Sequence, residues 1–157
     1  MYRTLENGDK LLMKYARDGD ELERGDIIVV YVGDYPECKG ITGGYLIKRL
    51  IATEGDKVKC VDGQISIWYN GTDGYVDLDE PYAYYMNAEA YDFEEYVVGD
   101  GEIFFLGDNR NNSCDSRYNE PSGSHLKGEL YKAKDVFGVV PDWAVKNADT
   151  LAKIFFR

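Results

Sequence analysis

The chain has 157 residues, enough for a sizeable core in one domain or in one domain with a subdomain, and its formal net charge of -11 excludes non-specific nucleic-acid binding. That charge also sets the bulk of the surface against anionic lipid, so membrane contact would need a local apolar patch. With 17 Gly and 14 Tyr the composition leans towards β structure with frequent turns, and no apolar run approaches the roughly eighteen residues of a transmembrane helix. No signal-peptide pattern is present.

Met1 to Asp9 reads as a loop closed by a Gly8-Asp9 turn ahead of the apolar Leu11-Leu12-Met13. Arg24-Gly25-Asp26 then turns the chain into Ile27 to Val32, a run too continuously apolar for a half-exposed strand and so predicted to be buried on both faces. Gly40 to Gly44 is a glycine-rich loop, but no Gly-Lys-Ser/Thr follows it, which makes a phosphate-binding loop a poor reading.

Tyr45 to Ala52 is the next strand, and it sets Lys48 beside Arg49 in an apolar run. Alternation sends the two cations to opposite faces. A lysine buried among Ile and Leu has its pKa pulled down, which suits it to act as a base. A move from about 10.4 to about 7.5 corresponds to roughly 4 kcal/mol, within reach of burial against apolar walls. The same residues also fit an edge strand with both cations solvated, and the strand alone leaves the two readings open.

From Lys59 to Gly101 the composition changes to Tyr, Asp, Glu and Gly. Gln64 to Tyr69 alternates before Asn70-Gly71, a hairpin signal. Tyr82, Tyr84, Tyr85, Tyr91 and Tyr96 read as packing and rim residues, and no acid-base constellation emerges. Ile103 to Leu106 is a short buried strand that delivers the polar stretch Gly107 to Arg117 to a loop. Its two Asp, two Arg, three Asn and two Ser cannot build a core but can build a network of charge-assisted hydrogen bonds. On composition alone a solvated turn fits as well. It is a poor calcium loop, because Arg110 falls at a ligand position, and Cys114 with the lone His125 makes a poor catalytic pair.

Tyr118 to Lys134 reads as a surface loop and Phe137 to Val140 as a strand. Asp142 is placed to cap a helix in which Val145, Ala148, Leu151, Ala152 and Phe155 recur at helical spacing. That stripe docks on the body, faces a membrane or marks a stub before an anchor. Cys38, Cys60 and Cys114 are odd in number and lack metal-ligand spacing; a Cys38–Cys60 bridge is the one pairing considered.

Gly107 to Arg117 resembles, position by position, the Gly-Asp-Asn-Arg-x-Asn-Ser-x-Asp-Ser-Arg signature of type I signal peptidases, membrane-anchored serine endopeptidases that remove signal peptides from exported proteins. Gly25 to Val30 resembles a structural box of that family. Tyr45-x-x-Lys48-Arg49-x-Ile51, followed by Gly55-Asp56, resembles the box of its general-base lysine, and Phe137-Gly138-x-Val140 resembles the family's ending. Met1, Thr4, Leu5, Gly8 and Asp9 fall on Ser-Met-x-Pro-Thr-Leu-x-x-Gly-Asp, with Arg3 where proline is expected.

The resemblance implies Lys48 as general base and Ser113 as the hydroxyl that orients it. It implies an Asp115–Arg117 ion pair bracing the site, with Asp108, Arg110 and Arg49 as structural support and Arg49 paired with an acid such as Asp108. The nucleophilic serine would immediately precede Met1 and is absent from this chain, so these 157 residues are expected to be inactive, either as a fragment cut from its anchor or as part of a pseudo-enzyme. Neither a cofactor nor a metal is implied. The fold implied is mainly antiparallel β: a catalytic core from residues 1–59 and 101–157, an inserted β subdomain over 60–100, and a short C-terminal helix. A lysine base rather than histidine points to the bacterial type. The implied partners are the signal-peptide region of preproteins, cut after a small residue with another small residue two places before it, and membrane lipid through the missing anchor. The implied location is the extracytoplasmic face of the cell membrane. Two other readings stay open: a catalytically dead preprotein-binding module, and a self-cleaving Ser/Lys repressor, for which no DNA-binding motif is seen.

Overall fold

The computed structural model describes residues 1, 4–6, 8–17, 19–33, 44–85, 92–117 and 131–148. Two antiparallel sheets carry these residues. The larger has six strands: β1 (Lys14–Tyr15), β2 (Ile27–Tyr31), β3 (Tyr45–Thr53), β8 (Glu102–Leu106), β9 (Tyr131–Lys132) and β10 (Val136–Val140), in the spatial order β1-β10-β2-β3-β8-β9. The smaller has four: β4 (Lys57–Val61), β5 (Gln64–Trp68), β6 (Val76–Asp77) and β7 (Phe93–Val97), in the order β6-β5-β4-β7. Among the described residues no helix is long and apolar enough to cross a membrane.

The β2 run is buried on both faces until its end, where Tyr31 is half exposed. Ile28 and Val30 join Leu46, Leu50 and Phe105 in one cluster, and Ile27 joins Leu5, Val140 and Ala144 in another on the opposite side. The neighbouring β3 pairs with β2 along one edge and with β8 along the other. It is therefore an interior strand, which removes the solvated-edge reading of Lys48 and Arg49; each is only 8% exposed.

The smaller sheet rests on the larger through a shared core. Val58, Cys60, Ile65, Ile67 and Phe93 pack with Ile51 and Ala52 of β3 and with Phe104 and Leu106 of β8. Its tightest turn is Asp62-Gly63 between β4 and β5, both residues at positive φ (51° and 77°), as a two-residue hairpin turn requires. The Asn70-Gly71 signal falls in the longer β5–β6 connection, where Ile67 pairs with Val76. The sheets are also tied where β3 passes to β4. Asp56 caps the turn by accepting from Thr53 N–H at 2.9 Å and from Arg24 at 2.8 Å, while Gly55 N–H donates to Val98 O and Val98 N–H donates to Asp56 O, both at 2.9 Å.

Three expectations are corrected. Asp142 does not cap a helix: α1 (Asp142–Lys146) has Pro141 at its N-cap with no side-chain cap, and Asp142 lies in the first turn, where its charge favours the helix dipole. Only Ala144 of this helix is fully buried, Val145 is half buried, and Leu151, Ala152 and Phe155 lie outside the described residues. Second, the end of the Tyr118 to Lys134 segment is ordered structure, since Tyr131–Lys132 pairs with β8 and leads into a 3-10 turn at Ala133–Asp135; residues 118–130, with His125, lie outside the described residues. Third, Cys60 is a buried free thiol and Cys114 is disulfide-bonded, so no Cys38–Cys60 bridge forms.

Candidate active site

Lys48 is delivered from the middle of β3, opposite Ile28 of β2. Its Nζ donates to its neighbour's carbonyl, Ile47 O, at 3.0 Å, and among the described residues it joins no ion pair. Burial holds its pKa below the ordinary lysine range. The carboxylates of Asp115 and Asp108 oppose that shift, and the Arg117 charge adds to it. The α-amino group of Met1 is also depressed, by burial first and then by the Lys48 charge. Backbone bonds from Thr4 and Leu5 N–H to Met1 O, both 2.9 Å, fix that first turn.

Arg49, the next residue, serves a different task. Its guanidinium forks onto Asp108, Nε to Oδ1 at 3.0 Å and Nη2 to Oδ2 at 2.8 Å, while Nη1 donates to Gly25 O at 2.9 Å. Asp108 is fully buried and also accepts from the Thr4 hydroxyl. One carboxylate thus joins the first turn of the chain, β3 and the signature loop.

The loop after β8 folds back along its own strand. Ser116 N–H donates to Phe105 O and Ser116 Oγ accepts from Phe105 N–H, both at 3.1 Å. Asp115 accepts from Gly107 N–H at 3.1 Å and from Arg117 through Nε (2.8 Å) and Nη2 (2.9 Å). Burial pushes its carboxyl upward, but the Arg117 charge outweighs this with help from Arg117, Ser113 and Gly107 N–H, and the pKa lies below the ordinary carboxylate range. Arg117 Nη1 closes the loop on Arg110 O at 3.0 Å. Ser113 Oγ is buried and makes no hydrogen bond of standard geometry, so a bond to Lys48 is not formed here. Its side chain lies against Gly107, where a Cβ would overlap the Ser113 hydroxyl and stand 2.7 Å from its Cβ.

Arg110 is the least exposed cation among the described residues, at 1%. It donates to Gly107 O at 3.0 Å and grips Glu80 in a fork, Nη1 to Oε2 at 3.0 Å and Nη2 to Oε1 at 2.6 Å, with Tyr85 Oη at 2.6 Å from Nη1. Glu80, Tyr82 and Tyr85 lie in the segment read from sequence as rim. Their signal was a charge deficit: Arg49 and Arg117 use the two carboxylates of the loop, which leaves Arg110 needing an acid from elsewhere.

These contacts bring Arg49, Asp108, Arg110, Ser113, Asp115 and Arg117 into one cluster, and the neighbouring Lys48, a depressed lysine in the field of Asp115, Asp108 and Arg117, is its base candidate. Among the described residues no group of His, Cys, Asp and Glu is arranged to hold a metal. A cavity of about 740 Å³ opens elsewhere, near Ala16, Leu22, Glu54, Glu102 and Lys134, and no member of the cluster lines it.

The family model described as "Signal peptidase, peptidase S26" matches residues 1–144. The chain is 35% identical over 119 residues to a probable signal peptidase I-2 of a Synechocystis species, covering 75% of this chain and 50% of that protein. It is 31% identical over 121 residues to thylakoidal processing peptidase 1, chloroplastic, of Arabidopsis thaliana (74% and 33% covered), and 33% identical over 130 residues to signal peptidase I S of Bacillus subtilis (74% and 61%). The chain thus spans from about a third to three-fifths of the length of these relatives. A crystal structure of a signal peptidase I from Enterococcus faecalis superposes with a TM-score of 0.52 at 28% identity, over 78% of this chain and 98% of that one.

Proposed function

The chain belongs to the signal peptidase S26 family, and on that premise we propose that it supplies all but the nucleophile of a Ser/Lys endopeptidase, with Lys48 as general base. The observation that carries this reading is Lys48 itself: an interior-strand lysine, out of solvent, in no ion pair among the described residues, with its pKa lowered by burial. A base must be unprotonated to work, and burial favours that form.

The nucleophile in this reading is a serine joined to Met1. That the Lys48 charge acts on the Met1 amine supports this placement. Neutral Lys48 takes the hydroxyl proton as the serine oxygen bonds to the scissile carbonyl carbon. The resulting ammonium returns that proton to the departing amine, leaving an ester on the serine. Water then attacks the ester with Lys48 again as base, releasing the acid and restoring the serine. Ser113 orients Lys48 once the nucleophile is in place, Asp115 and Arg117 brace the site, and Arg49, Asp108 and Arg110 hold the scaffold. The catalytic core is residues 1–59 and 101–157, with residues 60–100 as an insert. The substrate is the signal-peptide region of a preprotein, cut after a small side chain, on the extracytoplasmic face of a bacterial cell membrane. Lipid is contacted by a segment outside these residues.

The test is cleavage of a peptide bearing Ala-x-Ala. The 157 residues alone are expected to be inactive, and a chain with serine added ahead of Met1 is expected to cut after the second Ala. In that extended chain Lys48→Ala abolishes turnover and leaves the fold intact; retained activity refutes the role of Lys48. Binding without cleavage by the extended chain makes the protein a preprotein-binding module instead.

A further inference from the structure

Residues 80–85 touch the signature loop through Glu80, Tyr84 and Tyr85, and touch Arg49 of β3 through Tyr82. Pro81 occupies the second position of a turn closed by Ala83 N–H to Glu80 O at 2.9 Å, which presents Glu80 and Tyr82 side by side, with Tyr82 Oη on Glu80 Oε1 at 3.1 Å. Glu80 neutralises Arg110. The Tyr82 ring lies beneath the Arg49 guanidinium, 3.8 Å from centroid to Cζ, against the same cation that forks onto Asp108. Tyr84 pairs with Asn109 as a short parallel bridge, its N–H donating to Asp108 O at 2.8 Å and its carbonyl accepting from Arg110 N–H at 3.0 Å. Tyr85 Oη completes the grip on Arg110.

Resting on the reading of Lys48 as base, we propose that Glu80, Tyr82 and the Tyr84 peptide are positioning groups: they fix Asp108 and the Gly107–Arg117 loop in the one arrangement that keeps Lys48 dry and out of an ion pair. The balance of buried charge carries this. Four cations (Lys48, Arg49, Arg110 and Arg117) face two carboxylates of the signature loop, and with Glu80 gone Arg110 becomes a buried charge with no counter-ion. The loop then loosens and water reaches Lys48 while Asp108 and Asp115 stay near it, so its charged form is no longer held out of solvent. The Tyr82 ring works in the same direction, because a guanidinium stacked on an aromatic face resists sliding off its carboxylate. The groups that set Lys48 titration are its burial, Asp115, Asp108, Arg117 and the Met1 amine.

The experiment is an NMR titration of isotope-labelled Lys48 in the 157-residue chain, which needs no nucleophile. In Glu80→Gln the Lys48 midpoint is expected to rise by about half a pH unit or more as water enters. Loss of a negative charge acting through space alone would lower it, so the sign separates the two causes. Tyr82→Leu is expected to raise the midpoint as well, and Tyr82→Phe, which keeps the ring, is expected to leave it near the parent value. Lys132→Ala, which breaks the Lys132–Glu102 bridge away from the loop, serves as a control in which a charge is lost and Lys48 does not move. An unmoved or lowered midpoint in both Glu80→Gln and Tyr82→Leu overturns the proposal. In the serine-extended chain the same variants are expected to lower kcat about tenfold with KM little changed, and to move the pH profile to the alkaline side. If the unsubstituted extended chain cuts nothing, the Ser/Lys reading fails, while the titration still decides whether Glu80 and Tyr82 position Lys48.

Discussion

The Arg49 guanidinium and the Asp108 carboxylate close a two-bond fork with both side chains out of solvent, and the carboxylate's free capacity is taken by Thr4. A buried pair of this kind adds little net stability against an apolar substitute, yet loss of one member strands the other charge. Asp108→Asn is therefore expected to lower the unfolding free energy by about 3–5 kcal/mol. The double variant Arg49→Met, Asp108→Leu is expected to recover most of that loss in urea melts. Additive losses in the double variant would show that the pair is not the cause.

Lys48 has the opposite balance, since it joins no ion pair among the described residues and the nearby Asp115 and Asp108 offset its burial only in part. Its folded pKa lies below the unfolded value of about 10.4, so the unfolded chain binds more protons between the two. The penalty is complete below the folded pKa and disappears as pH rises towards the unfolded one. Lys48→Met is expected to stabilise the fold at pH 7 by roughly 1–3 kcal/mol. That advantage should shrink as pH rises from the folded pKa towards about 10.4 in paired denaturant titrations. An advantage that does not change with pH would mean that packing, not charge burial, sets the difference.

Gly107 is required by a close approach, not by a turn, for the Ser113 side chain occupies the space of its missing Cβ. Gly107→Ala is expected to cost about 1–3 kcal/mol through overpacking, seen as a lower Tm. In a serine-extended chain it should also displace Ser113 and slow turnover. Gly107→Ala combined with Ser113→Gly should restore the Tm but not the rate.

Much of this was legible in the sequence, and the parts that were not share a physical cause. The β2 run and the Lys48-Arg49 strand announced themselves because continuous apolar residues have few alternatives to an interior strand. What alternation could not say was whether β3 lay inside the sheet or at its edge, because that depends on β8, which begins 53 residues after Arg49, the last β3 residue in register with β2. The polar loop was legible as a motif, while its dependence on Glu80 and Tyr82 was not. Those residues follow no period, and a brace built from one turn and one bridge leaves no pattern beyond an unbalanced charge. The Asp142 cap failed because Pro141 already supplies the extended geometry at the N-cap.

Cys60 offers a probe of the smaller sheet. Burial first, then Asp92, pushes its thiol up to about 12, so almost no thiolate exists at neutral pH. Reaction with a disulfide reagent at pH 8 is expected to wait for β4 and β7 to part. The rate should then rise with denaturant in step with opening of this sheet. Fast labelling in native buffer would mean that the shared core beneath Cys60 opens by itself.

Asp115 governs the acid limit. Its folded pKa lies below the unfolded value near 3.9, so the stability it contributes is complete above that value and is lost as pH falls through the folded pKa. The carboxylate is fully enclosed and holds Arg117 and Gly107 N–H, which makes it the point at which protonation releases the loop from β8. Asp115→Asn keeps the shape but strands the Arg117 charge, at a cost of about 3–5 kcal/mol at pH 7. The same variant should flatten the decline in stability below pH 4, because the group responsible no longer titrates. Guanidinium melts at pH 7 and pH 3 give both numbers. If the decline remains as steep in the variant, other carboxylates control acid unfolding, and Asp115 then contributes only through the Arg117 pair.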